Sequence, residues 1–471
     1  MKKSKNTINK PTGLESREGI AAAGESLYKV YIRRFKKHTL GKIGGGILIF
    51  LYLSALFADF LSPYDMLWTD KAKSYQAPTP IEFLYNDGTR RTFRPFVYEK
   101  WLVNIAYKQY GVVPEYTLRA ISIEPKDGWP ELRSVVIDRD PVKRKNSILE
   151  AVSNHYGLSR TDDALQRLSA EIDSLERNPA KDLRITFHVG TRNVSGEDYP
   201  LRLYLVKGNK NFLSFFFTGT PYKFWGLFET NVHLFGSPTG GYFLMGTDQF
   251  GRDILSRLLH GSRISLSVGI LGAIITFTIG LLFGGIAGYF GGVVDTVMMR
   301  ISELMMSFPS IYLLFILRAI FPPNLNSVQV YSLIVAILAL IGWAALARII
   351  RGMVLALKNE DYVLSAKIMG LSHLKIIIRH ILPNTLSFVI IQATITIPGY
   401  ILGESALSLL GLGITEPQSS WGLMLSVARN FRVMKDFPWV LVPGFAIFVA
   451  IMAWNFFGDG IRDAVDPRSK H

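Results

Sequence analysis

The chain has 471 residues, 49% of them hydrophobic, with a formal net charge of +15 and no cysteine. That composition suits a membrane protein with a sizeable polar part rather than a purely soluble enzyme. The missing cysteines exclude disulfides and thiolate metal sites, and eight scattered histidines without HExxH-like spacing give no reason to expect a metal. The positive charge invites nucleic acid as a partner, but its placement argues otherwise. Lys and Arg gather in residues 1–42, directly before an apolar run. They gather again in Arg348, Arg351, Lys358, Lys367, Lys375 and Arg379, after a later one. This is the positive-inside pattern of a membrane protein.

Residues 1–42 read as a basic cytoplasmic leader, too long for the n-region of a cleavable signal. Within it, Glu25–His38 is expected as a basic helix on the membrane surface. Ile43–Leu61 is the first span, since about 19 residues at ~1.5 Å rise just cross a ~30 Å core. Gly44, Gly45 and Gly46 there fit either close helix contact or a flexible start.

From Ser62 to Tyr242 charges of both signs return and no apolar run is long enough to span. RAISIEP (119–125), RSVVIDR (133–139), DLRITFHVG (182–190) and LRLYLVKG (201–208) pattern as strands. Thr161–Arg177 patterns as a helix capped by Thr161 and Asp162, with Leu165, Leu168, Ile172 and Leu175 along it. Residues 62–242 are therefore expected to form an inserted α+β domain. Phe212–Phe217, Trp225, Phe228 and Phe235 fit either that domain or the membrane interface, where aromatic rings are favoured.

The remaining stretch, 243–471, holds five more candidate spans: Ile264–Gly288, Thr296–Phe321, Val328–Ile349, Thr385–Leu410 and Pro438–Phe457. Six spans in all, an even number, put both termini on one side. The basic leader makes that side the cytoplasm, which places residues 62–242 outside. Asp248, Arg252 and Asp253, in a glycine-punctuated stretch before the second span, are candidates for holding the external mouth. Arg300 and Glu303, three apart in an apolar stretch, can pair with each other. Glu404 follows Pro398-Gly399, expected to break or kink the fifth span, and has no basic neighbour in sequence. A lone carboxylate at such depth points to the translocation path or to a polar bond across a subunit interface. Asp459, Arg462, Asp463, Asp466 and Arg468 read as an ion-pair network after the last span.

Between the fourth and fifth spans lies a polar, basic stretch, 359–384, containing DYVLSAKIMGLSHLKIIIRHILPN. Asn359 or Asp361 can cap a first helix. Gly370 can stop it in the left-handed conformation, Ser372 can cap a second, and Pro383 is expected to close that one. Ala366 and Gly370, four apart, leave one face almost bare. Such a knuckle fits another protein's groove, and it equally fits an ordinary loop.

The segment resembles the coupling-helix signature of ABC importer permeases: EAA, three residues, G, nine residues, then I-x-LP. Ala366, Gly370, Leu382 and Pro383 fall in register, while Leu364, Ser365 and His380 replace its Glu, first Ala and Ile. Four more blocks, GTDQFGRDILSRLLHGSRISL (246–266), AGYFGGVVDTVMMRISELMMSFPS (287–310), GESALSLLGLGITEPQSSWGLML (403–425) and NFFGDGIRDAVDPRSK (455–470), resemble the oligopeptide/dipeptide branch. The resemblance covers 40–62 loosely and 244–470 closely, and leaves out the inserted domain.

It implies an α-helical polytopic fold with six transmembrane helices of the ABC importer permease type, in a bacterial cytoplasmic membrane. It also implies ATPase coupling through Asp361, Ser365, Ala366, Gly370, Leu371, Leu382 and Pro383. The implied partners are a second homologous permease, two ABC ATPase subunits and an extracytoplasmic solute-binding protein, with peptides or similar small solutes as cargo. ATP and Mg would sit on the ATPases, because this chain has no GxxxxGK[ST] phosphate loop. Nor has it a nucleophile–base arrangement, so no enzyme activity or cofactor is expected. The competing reading is a membrane-anchored sensor or assembly protein working through its inserted domain. A neighbouring set of genes for two ATPases, a second permease and a binding protein would separate the two.

Overall fold

A computed structural model describes residues 27–465 except 87–90, 105–107, 113–116, 123–134, 137–144, 147, 151–152, 155–162, 177–184, 195–196, 207–209, 321 and 323–324. Met1–Gly24, the caps Thr161 and Asp162, most of the 133–139 strand and the tail residues Asp466 and Arg468 lie outside the described residues. The chain divides into two compact units, residues 59–256 and the remainder.

In the larger unit, α1 (Leu27–Lys37) ends in Arg34, Lys36 and Lys37, where cations complement the helix dipole. His38 caps α2 (Thr39–Leu56), its Nδ1 accepting from the Gly41 N–H at 2.9 Å. A Cβ on Gly44 would stand 2.6 Å from the Ala453 carbonyl, so this glycine permits close approach to the last helix. Gly46 faces open space. The glycines therefore serve packing at one edge only.

The short helix α3 (Ala58–Leu61) leads into the unit 59–256, which among the described residues mixes strands with one long helix. β1 (Glu82–Asn86) pairs with β2 (Arg91–Tyr98), which also pairs with β9 (Lys210–Phe212). β3 (Lys100–Asn104) and β4 (Gln109–Val112) make a two-stranded pair. All four sequence-predicted strands meet in one antiparallel sheet, as β5 (Thr117–Ser122), β6 (Val135–Val136), β7 (Ile185–Val194) and β8 (Glu197–Val206), in the order β6-β5-β8-β7. The predicted helix is α4 (Asp163–Glu176), with Leu165, Leu168 and Ile172 buried as its periodicity requires. β10 (Ser214–Phe224) and β11 (Phe228–Gly236) form a long separate hairpin.

The larger unit resumes with α5 (Ile254–Phe290), α6 (Gly292–Ser307), α7 (Ser310–Ile320) and α8 (Ser327–Leu357). Then come α9 (Asp361–Ile368), α10 (His373–Ile376), α11 (Leu386–Leu409), α12 (Trp421–Leu425), α13 (Phe431–Asp436) and α14 (Val442–Val465). Among the described residues five helical stretches are long and apolar enough to cross a membrane: Thr39–Leu56, Ile254–Phe290, Ser327–Leu357, His373–Leu409 and Pro438–Val465. The expected span Thr296–Phe321 is instead two helices. Phe308 lies extended (φ −90°, ψ 132°) before Pro309, because a proline ring disfavours helical backbone in the residue preceding it.

One apolar core joins residues of α2, α5, α8, α11 and α14. Gly284 and Gly288 of α5 pack against α8; a Cβ on Gly288 would stand 2.8 Å from the Arg351 carbonyl. Arg351 also forks onto both carboxylate oxygens of Asp295 at 2.6 Å, tying α6 to α8. Arg300 and Glu303 pair as expected, at 2.9 Å.

Candidate functional site: the coupling segment, the buried carboxylate and the Asp253 knot

The segment between α8 and α11 turns where its glycine predicts. Gly370 has φ +75° and follows the last helical turn. The Leu371 N–H reaches the Ala366 carbonyl at 3.3 Å and the Gly370 N–H reaches Lys367 at 3.0 Å, a closing pattern that requires a left-handed residue. The cap at the other end differs from expectation. Glu360, not Asn359 or Asp361, stands at the N-cap of α9, and it gives no side-chain cap bond.

Pro383 also behaves differently. It does not close the second helix, because helical structure runs from His373 through Leu409. Ile377–Ile381 forms a π turn and Leu382–Thr385 a 3-10 turn with Pro383 in its first positions. There a proline's missing N–H costs nothing. Ser372 does precede α10, without a side-chain cap bond.

Burial reverses the bare-face expectation. Ala366 is fully buried with Val363, Ile376, Ile377 and Ile381, all within the same core as the long helices. Small size at Ala366 therefore serves seating on its own bundle. The seat is reinforced by Tyr289 at the end of α5, whose hydroxyl lies 2.9 Å from His373 Nδ1. The Lys367 ammonium stands 5.1 Å over the Tyr289 ring. What faces outward at the corner is apolar: Ile368 is 87% exposed and Met369 71%. Asp361, Ser365, Gly370 and Pro383 are also exposed, while Leu371 and Leu382 are half-buried against the core. The sequence reading missed Ile368, Met369 and Tyr289. Two consecutive large apolar residues beside a helix-stopping glycine were the available signal.

Glu404 is enclosed by its own chain. Its carboxylate accepts from the Ser408 hydroxyl at 2.7 Å, from Ser265 at 3.2 Å and from Ser405 at 3.5 Å. Those serines carry load from elsewhere: Ser265 Oγ accepts the Trp421 N–H at 3.0 Å and Ser408 Oγ the Ile414 N–H at 3.1 Å. The carboxylate thus knots α5, α11 and the loop before α12. Nor does Pro398 break the helix, since α11 continues through it. Hydroxyls of Thr394 and Thr396 donate to carbonyls one turn back, at 2.7 and 2.9 Å.

Asp248, Arg252 and Asp253 do come together, in one turn before α5. Arg252 Nε donates to Asp248 Oδ2 at 2.7 Å, and Asp248 Oδ1 accepts the Phe250 and Arg252 N–H groups. Asp253 caps α5 instead, its Oδ2 accepting the Ser256 N–H at 2.8 Å and hydroxyl at 2.6 Å. Its Oδ1 is buried without a hydrogen-bond partner. Burial pushes the Asp253 carboxyl up to about 6, against the pull of the Ser256 and Leu255 bonds, with Asp248 nearby adding to the rise.

A raised carboxyl pKa has a definite sign. The stability it contributes is full below the unfolded value of about 3.9 and is lost as pH rises through about 6. Asp253→Asn keeps the cap and removes the titration. The variant complex should lose the fall in thermal stability between pH ~4 and ~6. It should gain up to about 3 kcal/mol over wild type at neutral pH. Parallel pH–melting curves for the two proteins would overturn this account of Asp253.

Comparison with known proteins follows the same residues. Residues 280–471 match the binding-protein-dependent transport system inner membrane component, and residues 26–78 match the N-terminal TM domain of oligopeptide transport permease C. The oligopeptide transport system permease protein OppC of Haemophilus influenzae is 43% identical over 263 residues, covering 55% of this chain and 82% of that one. The dipeptide transport system permease protein DppC of Bacillus subtilis is 41% identical over 47% of this chain and 68% of its own. OppC of Escherichia coli K12 is 42% identical over 49% and 74%. A solved chain from inward-facing conformations of the MetNI methionine ABC transporter covers 44% of this chain and 96% of its own at 19% identity. Its TM-score of 0.33 is too slight to add anything. The relatives are transport components rather than enzymes, and the chain belongs to the inner-membrane permease family of binding-protein-dependent ABC importers.

Proposed function

We propose that this chain carries peptides or similarly small solutes inward, lining half of a pathway completed by a second permease. Two ATPase subunits would drive it, and an external binding protein would deliver the solute. The observation that carries the coupling role is the corner at Gly370. Ile368 and Met369 project from a segment whose other face is locked into the bundle by Val363, Ala366, Ile376 and Ile377. A push on that corner must move the long helices with it. Asp361, Ser365, Gly370 and Pro383 flank the contact, while Ala366, Leu371 and Leu382 pass the force inward. ATP-driven closure of the ATPases would carry the corners together and reopen the bundle outward. Peptides as cargo rest on the names of the relatives, which are oligopeptide and dipeptide permeases. Glu404 and Pro398, both buried in this chain, would set the shape of α11 where it borders the pathway, and the Asp248–Arg252 knot would rim the mouth.

The chain crosses six times on this reading. α6 and α7, with 16 and 11 residues, reach ~24 and ~16 Å, enough together for a ~30 Å core. Both termini then lie in the cytoplasm and residues 59–256 outside. Asp173 of α4, half-exposed, reports on this. In intact cells Asp173→Cys should react with a membrane-impermeant maleimide, the chain having no other cysteine. Reaction only after permeabilisation would reverse the topology. ATP-dependent uptake of a labelled peptide by vesicles holding the whole complex is the direct assay of function.

A further inference from the structure

The last turns of α5 are packed on two sides and followed by an open corner. Gly285 lies against the stretch beyond α10, where an added Cβ would stand 3.1 Å from Ile377 and 3.4 Å from Leu382. Gly288 lies against α8, and its carbonyl accepts from the Lys358 ammonium at 3.2 Å. Tyr289, only 8% exposed, then meets the coupling segment on both sides of Gly370. Its ring lies under the ammonium of Lys367, a residue of α9. Its hydroxyl lies beside Nδ1 of His373, the first residue of α10. Phe290 adds an edge contact to the His373 ring, with centroids 5.6 Å apart.

Beyond Phe290 the chain is free to turn. Gly291 and Gly292 have φ +69° and +55°. A Cβ on Gly292 would meet nothing within 4 Å, and one on Gly291 only the Lys358 side chain, at 3.9 Å. Two successive left-handed glycines in open space make a joint. The end of α5 is therefore set by α8 and the coupling segment rather than by the helix that follows it. α5 itself is uninterrupted from Ile254 to Phe290. Ser265, which supports both Glu404 and the Trp421 N–H, stands ~36 Å back from Tyr289 along this one helix, at ~1.5 Å per residue.

We infer that Tyr289 is the positioning residue through which the corner at Gly370 moves α5. Both helices of the corner bear on this one side chain, α9 on its ring and α10 on its hydroxyl. A force that tilts either helix is delivered to the end of α5, and along α5 to the serine that holds the Glu404 knot. The inference rests on the transport reading above and extends it from the segment that is pushed to the helix that is moved.

The test compares Tyr289→Phe, His373→Leu, His373→Asn and the combined Tyr289→Phe/His373→Leu variant in the purified complex with the proposed second permease and ATPases. The readout is the ratio of ATP hydrolysis with dipeptide-loaded binding protein to hydrolysis without it. Tyr289→Phe keeps the ring under Lys367 and removes only the hydroxyl, so the ratio should fall about 2- to 12-fold, the weight of one hydrogen bond. His373→Leu should fall alike, and the combined variant no further, because both changes remove the same contact. His373→Asn keeps an acceptor where Nδ1 stands and should hold most of the wild-type ratio. In Tyr289→Phe, capture of the ATPases and the binding-protein concentration giving half stimulation should match wild type, which separates transmission from docking. A wild-type ratio in Tyr289→Phe overturns the inference and leaves the transport reading in place. So does an additive loss in the combined variant, or a fall that comes with lost ATPase capture. No stimulation in the wild-type complex overturns the transport reading and the inference with it.

Discussion

Gly370→Val should uncouple the ATPases from transport while leaving the chain inserted and assembled. A Cβ at this position meets nothing within 4 Å, so the variant introduces no clash. The cost is in the backbone: φ +75° is a conformation that a β-branched residue resists by about 1–2 kcal/mol. With open space around it, the corner can relieve that cost by unwinding the last turn of α9. Ile368 and Met369 then leave their aim. A penalty of 1–2 kcal/mol shifts a two-state balance about 5- to 30-fold, and solute-stimulated ATP hydrolysis should fall by about that factor. Gly370→Asn, which tolerates the left-handed region better, should fall less. Equal stimulation in wild type and Gly370→Val would make the segment a plain connector.

The second large effect is expected at Glu404. Glu404→Ala leaves the hydroxyls of Ser265, Ser405 and Ser408 without their common acceptor. It also opens a cavity where no side chain is exposed. At about 1 kcal/mol for each orphaned donor, the loss is about 3 kcal/mol, read as a lower melting temperature of the purified complex. Glu404→Gln keeps the volume and one acceptor oxygen, so it should keep most of the stability and most of the uptake. If Gln abolishes uptake while the melting curve stays put, the charge acts on the pathway itself and the knot is not its role.

How much of this was legible depended on sequence distance. The left-handed corner at Gly370 could be read locally, because a glycine after a helical stretch has few other uses there. The four strands of the β6-β5-β8-β7 sheet were legible from short apolar runs, since each carries its own pattern. Ser265, 139 residues from Glu404, could not be found that way, although Ser408, one turn ahead, could. Two prolines misled in opposite directions. Pro309 divides an apolar run that reads as one span, because Phe308 must leave the helical region. Pro383 divides nothing, because a π turn and a 3-10 turn absorb it. The outward apolar pair Ile368–Met369 is not legible from periodicity, because two adjacent apolar residues in a short helix read as easily as core. Ala366 is small to fit its own core, not a partner's.

The most direct measurement is peptide uptake into proteoliposomes holding this chain with the proposed second permease and ATPases, with the proposed binding protein outside and ATP within. Labelled dipeptides and oligopeptides should accumulate against their gradient with wild-type chain. Accumulation should cease without ATP and fall several-fold with Gly370→Val. Accumulation that survives removal of the ATPases, or that never occurs with any peptide while ATP is hydrolysed normally, would contradict the account.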